Sequence, residues 1–277
     1  MPSADPGRCI ALLGVLERPP GAPIGTPAQN ALAGQCCVGR SQQAGDWFDD
    51  VVGKVLSVRR LPREVIAVAV RWYLRYGLSY RDAGELLAER GVTVDHVTIH
   101  RWVQRFTPEF IEAARLCRHA PGDRWFADET YVKVAGRWTY LYRAIDQHGQ
   151  VIDVLLSARR DLTAARRFFI LALRAGTIPA EVTTDRAPAY PRVLDELIPS
   201  ALHTVERYAN NPVEADHGRL KARLRPMRGL KRHRSARIIS AGHAFVQNIR
   251  RGHYELATDI PARHRIRAAL DELATAI

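Results

Sequence analysis

Three carboxylates stand where strand and helix patterns would bring them together. Asp128 lies in the run 125–134, rich in β-branched and aromatic residues and free of Gly and Pro, which predicts a strand. Side chains alternate along a strand. Asp128 therefore shares a face with Phe126, Thr130, Val132 and Val134, while Glu129 points the other way with Tyr131 and Lys133. A carboxylate on an apolar face is costly unless a charge or a metal meets it. Asp185 ends a second, shorter strand at 181–185, just before Arg186, Ala187 and Pro188. Open α/β sheets place their chemistry at such strand ends, although the same aspartate could equally cap the helix that Pro188 opens. Glu214 lies in a helix starting at Asn211, where Asn211, Pro212 and Glu214 also fit a capping box. One face of that helix presents Glu214, His217, Gly218 and Lys221, with nothing apolar. A polar stripe holding a glycine suggests that something approaches closely.

Two or three carboxylates from two strands and a helix suit a pair of Mg²⁺ ions, which take oxygen ligands and share coordination with phosphate oxygens. Such ions serve phosphoryl transfer. Glu129 faces away from Asp128. Asp216 is two residues past Glu214, about 200° round a helix. Neither is expected to be a ligand. His217 is on the right face to orient DNA or a water.

These positions need a scaffold. After the strand at 125–134 come strands at 138–145 and 151–156, an antiparallel meander. A helix over 161–174, the strand at 181–185, a helix over 188–197 and a strand over 202–207 follow. A long basic helical region runs over 211–255, and 261–277 reads as one exposed helix. This order predicts an α/β, ribonuclease H-like mixed sheet with flanking helices. Upstream, residues 61–106 read as three short helices with Gly91 before the last, the pattern of a helix-turn-helix. That helix would offer Thr98, His100, Arg101, Gln104 and Arg105 to a major groove; a small bundle with no DNA role has the same pattern.

The 277 residues carry a formal net charge of +12, which favours an acidic polymer as partner. Between Gly218 and Tyr254 there is no Asp or Glu and there are eleven Lys or Arg. Directly after the third carboxylate, that run reads as a phosphate-tracking arm. No C-x-x-C pair points to zinc. No run approaches a membrane span and no clear secretory signal opens the chain, so the expected location is cytoplasmic. The first 58 residues are punctuated by Pro and Gly and read as a poorly ordered tail, with a natural start further in, near Val51 or Val55, as one expectation. The expected organisation is thus a tail at 1–58, helix-turn-helix at 59–107, linker at 108–123, catalytic domain at 124–255 and a C-terminal helix or tail at 256–277.

The motifs make the reading more specific. Asp128 to Val134, Gly136-Arg137-Trp138 and Tyr140 to Asp146 resemble the catalytic domain of DDE transposases of bacterial insertion-sequence family six. Thr184 to Tyr190 resembles that family's second acidic motif; Asn210-Asn211, Glu214, Asp216-His217-Gly218 and Leu220-Lys221 resemble its third. Leu74 to Arg81 resembles its helix-turn-helix entry. The resemblance covers roughly 60–255 in order; the interval from Asp185 to Glu214 is a little short for the family, and the tail has no counterpart. It implies Asp128, Asp185 and Glu214 as the catalytic, metal-binding triad, holding Mg²⁺ with Mn²⁺ able to substitute. It further implies Lys221 beside the scissile phosphate; the polar helix face, the acid-free run and the outer face of the third helix add His217, Arg219, Arg225, Arg228, Lys231, Arg232, Arg101, Gln104 and Arg105 as expected DNA contacts. The implied partners are DNA, as terminal inverted repeats and target, and further copies in a homodimer or larger assembly. The implied reaction cleaves element ends and transfers the 3′-hydroxyl to target DNA, by a replicative route through a cointegrate. A DNA-binding regulator with an inactive ribonuclease H-like domain is the alternative.

Overall fold

The computed structural model describes residues 61–277 except 207 and 228. The tail at 1–58, the suggested internal start and the expected DNA contact Arg228 lie outside the described residues. Helices α1 (Arg63–Arg75), α2 (Tyr80–Ala88) and α3 (His96–Ala113) come first, followed by a 3₁₀ turn at Arg115–Cys117. Strands β1 (Arg124–Val134), β2 (Arg137–Asp146) and β3 (Val151–Ser157) follow, then α4 (Leu162–Leu173), β4 (Glu181–Thr183), α5 (Ala189–Leu197) and β5 (Leu202–Thr204). Helices α6 (Asn211–Leu224), α7 (His233–Arg251) and α8 (Ala262–Ala274) complete the chain. The sheet order is β3-β2-β1-β4-β5. β1, β2 and β3 are antiparallel neighbours, whereas β4 and β5 run parallel to β1. That is the mixed, ribonuclease H-like sheet the element order predicts.

The pleat of β1 sorts its side chains as expected. Trp125 and Ala127 pack with Phe168 and Phe169 of α4 and with Tyr190 and Val193 of α5. On the opposite face Val132 and Val134 join Leu220 of α6 and Ile239 and Val246 of α7. Buried aromatics contribute heavily here; truncating Phe168 to alanine costs about 3–5 kcal/mol.

The helical N-terminal segment shares that second core. Val70, Tyr73, Leu74, Val103 and Phe110 belong to the same apolar cluster as Val134 and Leu220. The segment expected as a linker with a short helix, 108–123, begins inside this packing. Helix α3 continues through Pro108 to Ala113. The exposed Pro108 turns its ring outward, while Thr107 and Phe110 on either side are buried. Burial outweighs the backbone hydrogen bond that proline forfeits. The expected basic helical region at 211–255 is two helices, separated by Pro226 and by Gly229 at φ 86°. Nor is the last helix exposed: Ile266, Leu270 and Leu273 of α8 are buried in the shared core with α1 and α7 residues. β4 and β5 are shorter than expected, ending at Thr183 and Thr204.

Candidate active site

Asp128 sits near the middle of β1, on the face covered by α6. Its Oδ2 lies 3.5 Å from Nδ1 of His217, one turn beyond Glu214 on α6. The start of α6 is tied to the same point: Asn210 Nδ2 donates to the Ala127 carbonyl at 3.1 Å. No side chain caps this helix, so the capping box that competed for Glu214 is not formed. Glu214 and Lys221 are exposed and His217 is buried. A Cβ at Gly218 would meet nothing within 4 Å, so the chain itself does not fill the space over this polar face.

Asp185 arrives from the other side. β4 pairs with β1 only as far as Phe126 opposite Thr183, and the chain then turns at Asp185. One carboxylate oxygen each of Asp128, Glu129 and Asp185 lie within 4.8 Å of one another. The inclusion of Glu129 departs from the strand-alternation argument. Its backbone does face α4 and α5, as expected, yet its carboxylate reaches the same cluster. There it accepts a hydrogen bond from the Tyr190 hydroxyl and pairs with Arg160. Arg160 also donates to Asp185 Oδ2 at 3.0 Å, and the Ala187 amide donates to Asp185 Oδ1 at 3.0 Å. Asp185 thus serves the turn before α5 and faces the cluster at once. Burial pushes the Glu129 carboxyl up; the Tyr190 hydrogen bond opposes this, the Asp185 charge adds to it and Arg160 opposes it again. Glu214 is outside that 4.8 Å group.

Asp216, set aside as a ligand, has another occupation. It is fully buried and pairs with Arg143 of β2 and Arg251 of α7, with Arg219 3.4 Å away. Arg143 is the β2 residue directly opposite Asp128. Burial alone would raise the Asp216 carboxyl, but the Arg143 and Arg251 charges outweigh it and hold the group at about 2. The helix bearing Glu214 and His217 is therefore fastened to the sheet by an ion pair beside Asp128 and by Asn210. The two shortest pairings of Asp216, to Arg143 and Arg251, are with residues 73 and 35 positions away, so local spacing carried no signal for them.

The basic residues divide. Arg219, Lys221, Arg225, Lys231 and Arg232 are exposed on or after α6. Arg223 is buried: its guanidinium lies 4.6 Å over the Tyr73 ring and donates to the Tyr73 carbonyl. On α3, Arg101 and Arg105 are exposed, with Arg105 paired to Glu109 at 3.2 Å. Gln104 is half-buried, and its Oε1 accepts from Ser235 of α7 at 3.2 Å. The expected groove contact at Gln104 is thus a helix–helix contact in this structure.

An all-oxygen cluster on the central strand, just past the end of β4 and with Arg160 beside it, is the donor set that suits a divalent ion. A family model described as a DDE domain matches residues 122–253. The chain is 39% identical over 170 residues to a transposase for insertion sequence-like element IS431mec of Staphylococcus aureus, covering 60% of this chain and 76% of that protein. It is 38% identical over the same length to the transposase for insertion sequence element IS257 in transposon Tn4003, also of Staphylococcus aureus, with the same coverage. Among solved structures, the catalytic core domain of HTLV-2 integrase in complex with magnesium aligns at 18% identity and a TM-score of 0.38, over 49% of this chain and 96% of that one. With 39% identity over 76% of such a relative's length, the chain belongs to the DDE transposases of bacterial insertion-sequence family six.

Proposed function

We propose that the chain cleaves DNA at the ends of an insertion element and transfers the freed 3′-hydroxyl to target DNA, by a replicative route through a cointegrate. The observation that carries this is the convergence of Asp128 and Asp185 beside the helix that bears Glu214 and His217. The donor set is all oxygen and fits Mg²⁺, with Mn²⁺ as substitute. Asp128, Asp185 and Glu214 would hold the ions. When bound, such ions act as Lewis acids on the attacking and leaving oxygens of an in-line phosphoryl transfer. The chain supplies the rest. His217 restrains the Asp128 carboxylate from the α6 side, and Arg160 restrains Asp185. Lys221, on the open face of α6, contacts the phosphate beside the scissile bond. Exposed Arg219, Arg225, Lys231 and Arg232 extend that contact along the backbone. Helices α1–α3 bind the terminal inverted repeats, Arg101 and Arg105 facing DNA, and two or more copies join two ends to the target.

The test is strand cleavage and transfer on an oligonucleotide carrying an element end, with Mg²⁺. Asp128→Asn and Asp185→Asn are expected to abolish both steps while end binding persists. Full turnover by either variant would refute the assignment. A wild-type chain that binds ends and never cuts them would favour a regulator.

A further inference from the structure

We propose that the open end of the β1–β2 hairpin is a stacking platform for unpaired bases of the DNA strand that enters the carboxylate cluster. The proposal rests on the reading that Asp128 and Asp185 hold a DNA phosphate. On the face of β1 that carries Glu129, three cross-strand pairs follow in register: Glu129 with Tyr142, Tyr131 with Tyr140, and Lys133 with Trp138. The first pair is roofed by α4, where Tyr142 packs against Phe168 at 5.7 Å between ring centroids. Beyond it the roof ends. Tyr131 is 49% exposed and Trp138 is 64% exposed.

An apolar patch in water normally marks a contact. Here the rings are also arranged for one. Tyr131 lies 5.1 Å from Tyr140 in a tilted arrangement and 6.3 Å from Trp138 edge to face. Tilted and edge-to-face contacts cover a ring on one side at most, so they leave ring faces open to a base where parallel stacking would have closed them. The rung at Tyr131 is two residues, or about 7 Å, along the strand from Glu129 and hence from the carboxylate cluster.

Charge decides the occupant. Lys133 Nζ lies 5.8 Å from the centre of the Trp138 ring. At the hairpin tip Lys133 and Lys231 line one cleft with Gly136 and Gly229. The tip is fastened there by the Ala135 amide, which donates to the Leu230 carbonyl at 2.7 Å. A strand leaving the carboxylates therefore meets the Tyr131–Tyr140 rung, then the rung on which Trp138 is paired with Lys133, and then Lys231 across the cleft at the tip. That is the combination that binds single-stranded nucleic acid: rings for base faces, cations for the backbone. Paired bases already stack on one another, so the platform selects a locally unpaired strand.

The experiment uses the full chain and three labelled DNAs at one salt concentration: a blunt duplex bearing an element end, the same duplex with a single-stranded extension, and an all-thymine single strand. Wild type is expected to favour the extended duplex over the blunt one. Trp138→Ala and Tyr131→Ala are each expected to erase about 5- to 150-fold of affinity for the extended duplex and the single strand, leaving the blunt duplex within about twofold. Trp138→Phe is expected to restore most of the loss. Both residues are exposed, and a circular dichroism spectrum unchanged from wild type would exclude misfolding. Equal affinity of wild type for blunt and extended duplex, or equal losses on both in the variants, overturns the platform alone. A Trp138→Ala chain that sediments as a smaller assembly overturns it in favour of an interface between copies. A wild-type chain that binds none of the three DNAs overturns the underlying DNA reading as well.

Discussion

At the scale of single residues, the question is which carboxylate of β1 or α6 completes the cluster with Asp128 and Asp185. Glu129 is close enough, but its oxygens are occupied by Tyr190 and Arg160, and its side chain is only 3% exposed. Glu214 is exposed, one turn from the histidine that meets Asp128. We expect Glu214→Gln to abolish strand transfer, and Glu129→Gln to lower it without abolishing it. The reverse order of effects, measured at saturating Mg²⁺, would move the third ligand to β1. Glu129 also holds structure: Tyr190→Phe removes its hydroxyl partner from a buried site and is expected to cost about 1–3 kcal/mol in urea unfolding. The sequence pattern placed Asp128 and Glu129 on opposite faces, and their backbones obey it. It did not reveal that their carboxylates meet. Alternation separates side chains across a continuous sheet, but β4 stops opposite Phe126, so beyond that point β1 has a free edge round which both can reach Asp185.

At the scale of elements, the placement of α6 depends on the buried pairing of Asp216 with Arg143 and Arg251. Removing one member of such a group is worse than removing both, since it strands a buried charge. Arg143→Met is expected to destabilise the fold by about 3–5 kcal/mol. The double variant with Asp216→Leu is expected to recover part of that loss in a denaturant titration, and a strictly additive double variant would contradict the coupling. Helix α7 adds a pH dependence. His243 is buried, and burial together with the Arg143 charge lowers it from 6.5 to about 3; Asp216 opposes this, while Arg223 and Arg251 reinforce it. The folded state therefore keeps His243 neutral where the unfolded chain binds a proton. Its contribution is complete above pH 6.5 and is lost as pH falls toward 3, by about 1.4 kcal/mol per pH unit. Urea midpoints measured between pH 4.5 and 7.5 are expected to show a shallower slope in His243→Asn than in wild type. Helical periodicity foresaw that Asp216 points away from Glu214. It could not supply the partner, because Arg143 is 73 residues distant in sequence.

For the molecule as a whole, the order of strands and helices was legible because each buries one regular apolar face, in β1 and α4 above all. What local pattern concealed is the joining of the N-terminal helices to the catalytic sheet. Gly242 of α7 shows how close that packing is: a Cβ there would lie 2.7 Å from side-chain atoms of both Leu74 and Thr107. The same packing sorts the acid-free segment into cations of two kinds, which its composition presents as one. Arg219, Lys221, Arg225, Lys231 and Arg232 face solvent, whereas Arg223 holds the Tyr73 carbonyl and Arg251 holds Asp216 and the Gly149 carbonyl. Only the first kind can neutralise phosphates and release counterions. Plotting the logarithm of the binding constant for an element-end duplex against that of salt, we expect Arg225→Gln or Lys231→Gln to reduce the slope by about 0.9 each. Arg223→Gln is expected to leave the slope at its wild-type value and to lower the urea midpoint instead, because its charge is already spent on α1. A slope that fell equally for Arg223→Gln would mean that this guanidinium leaves Tyr73 when DNA binds, and that α1 and α6 separate in the complex.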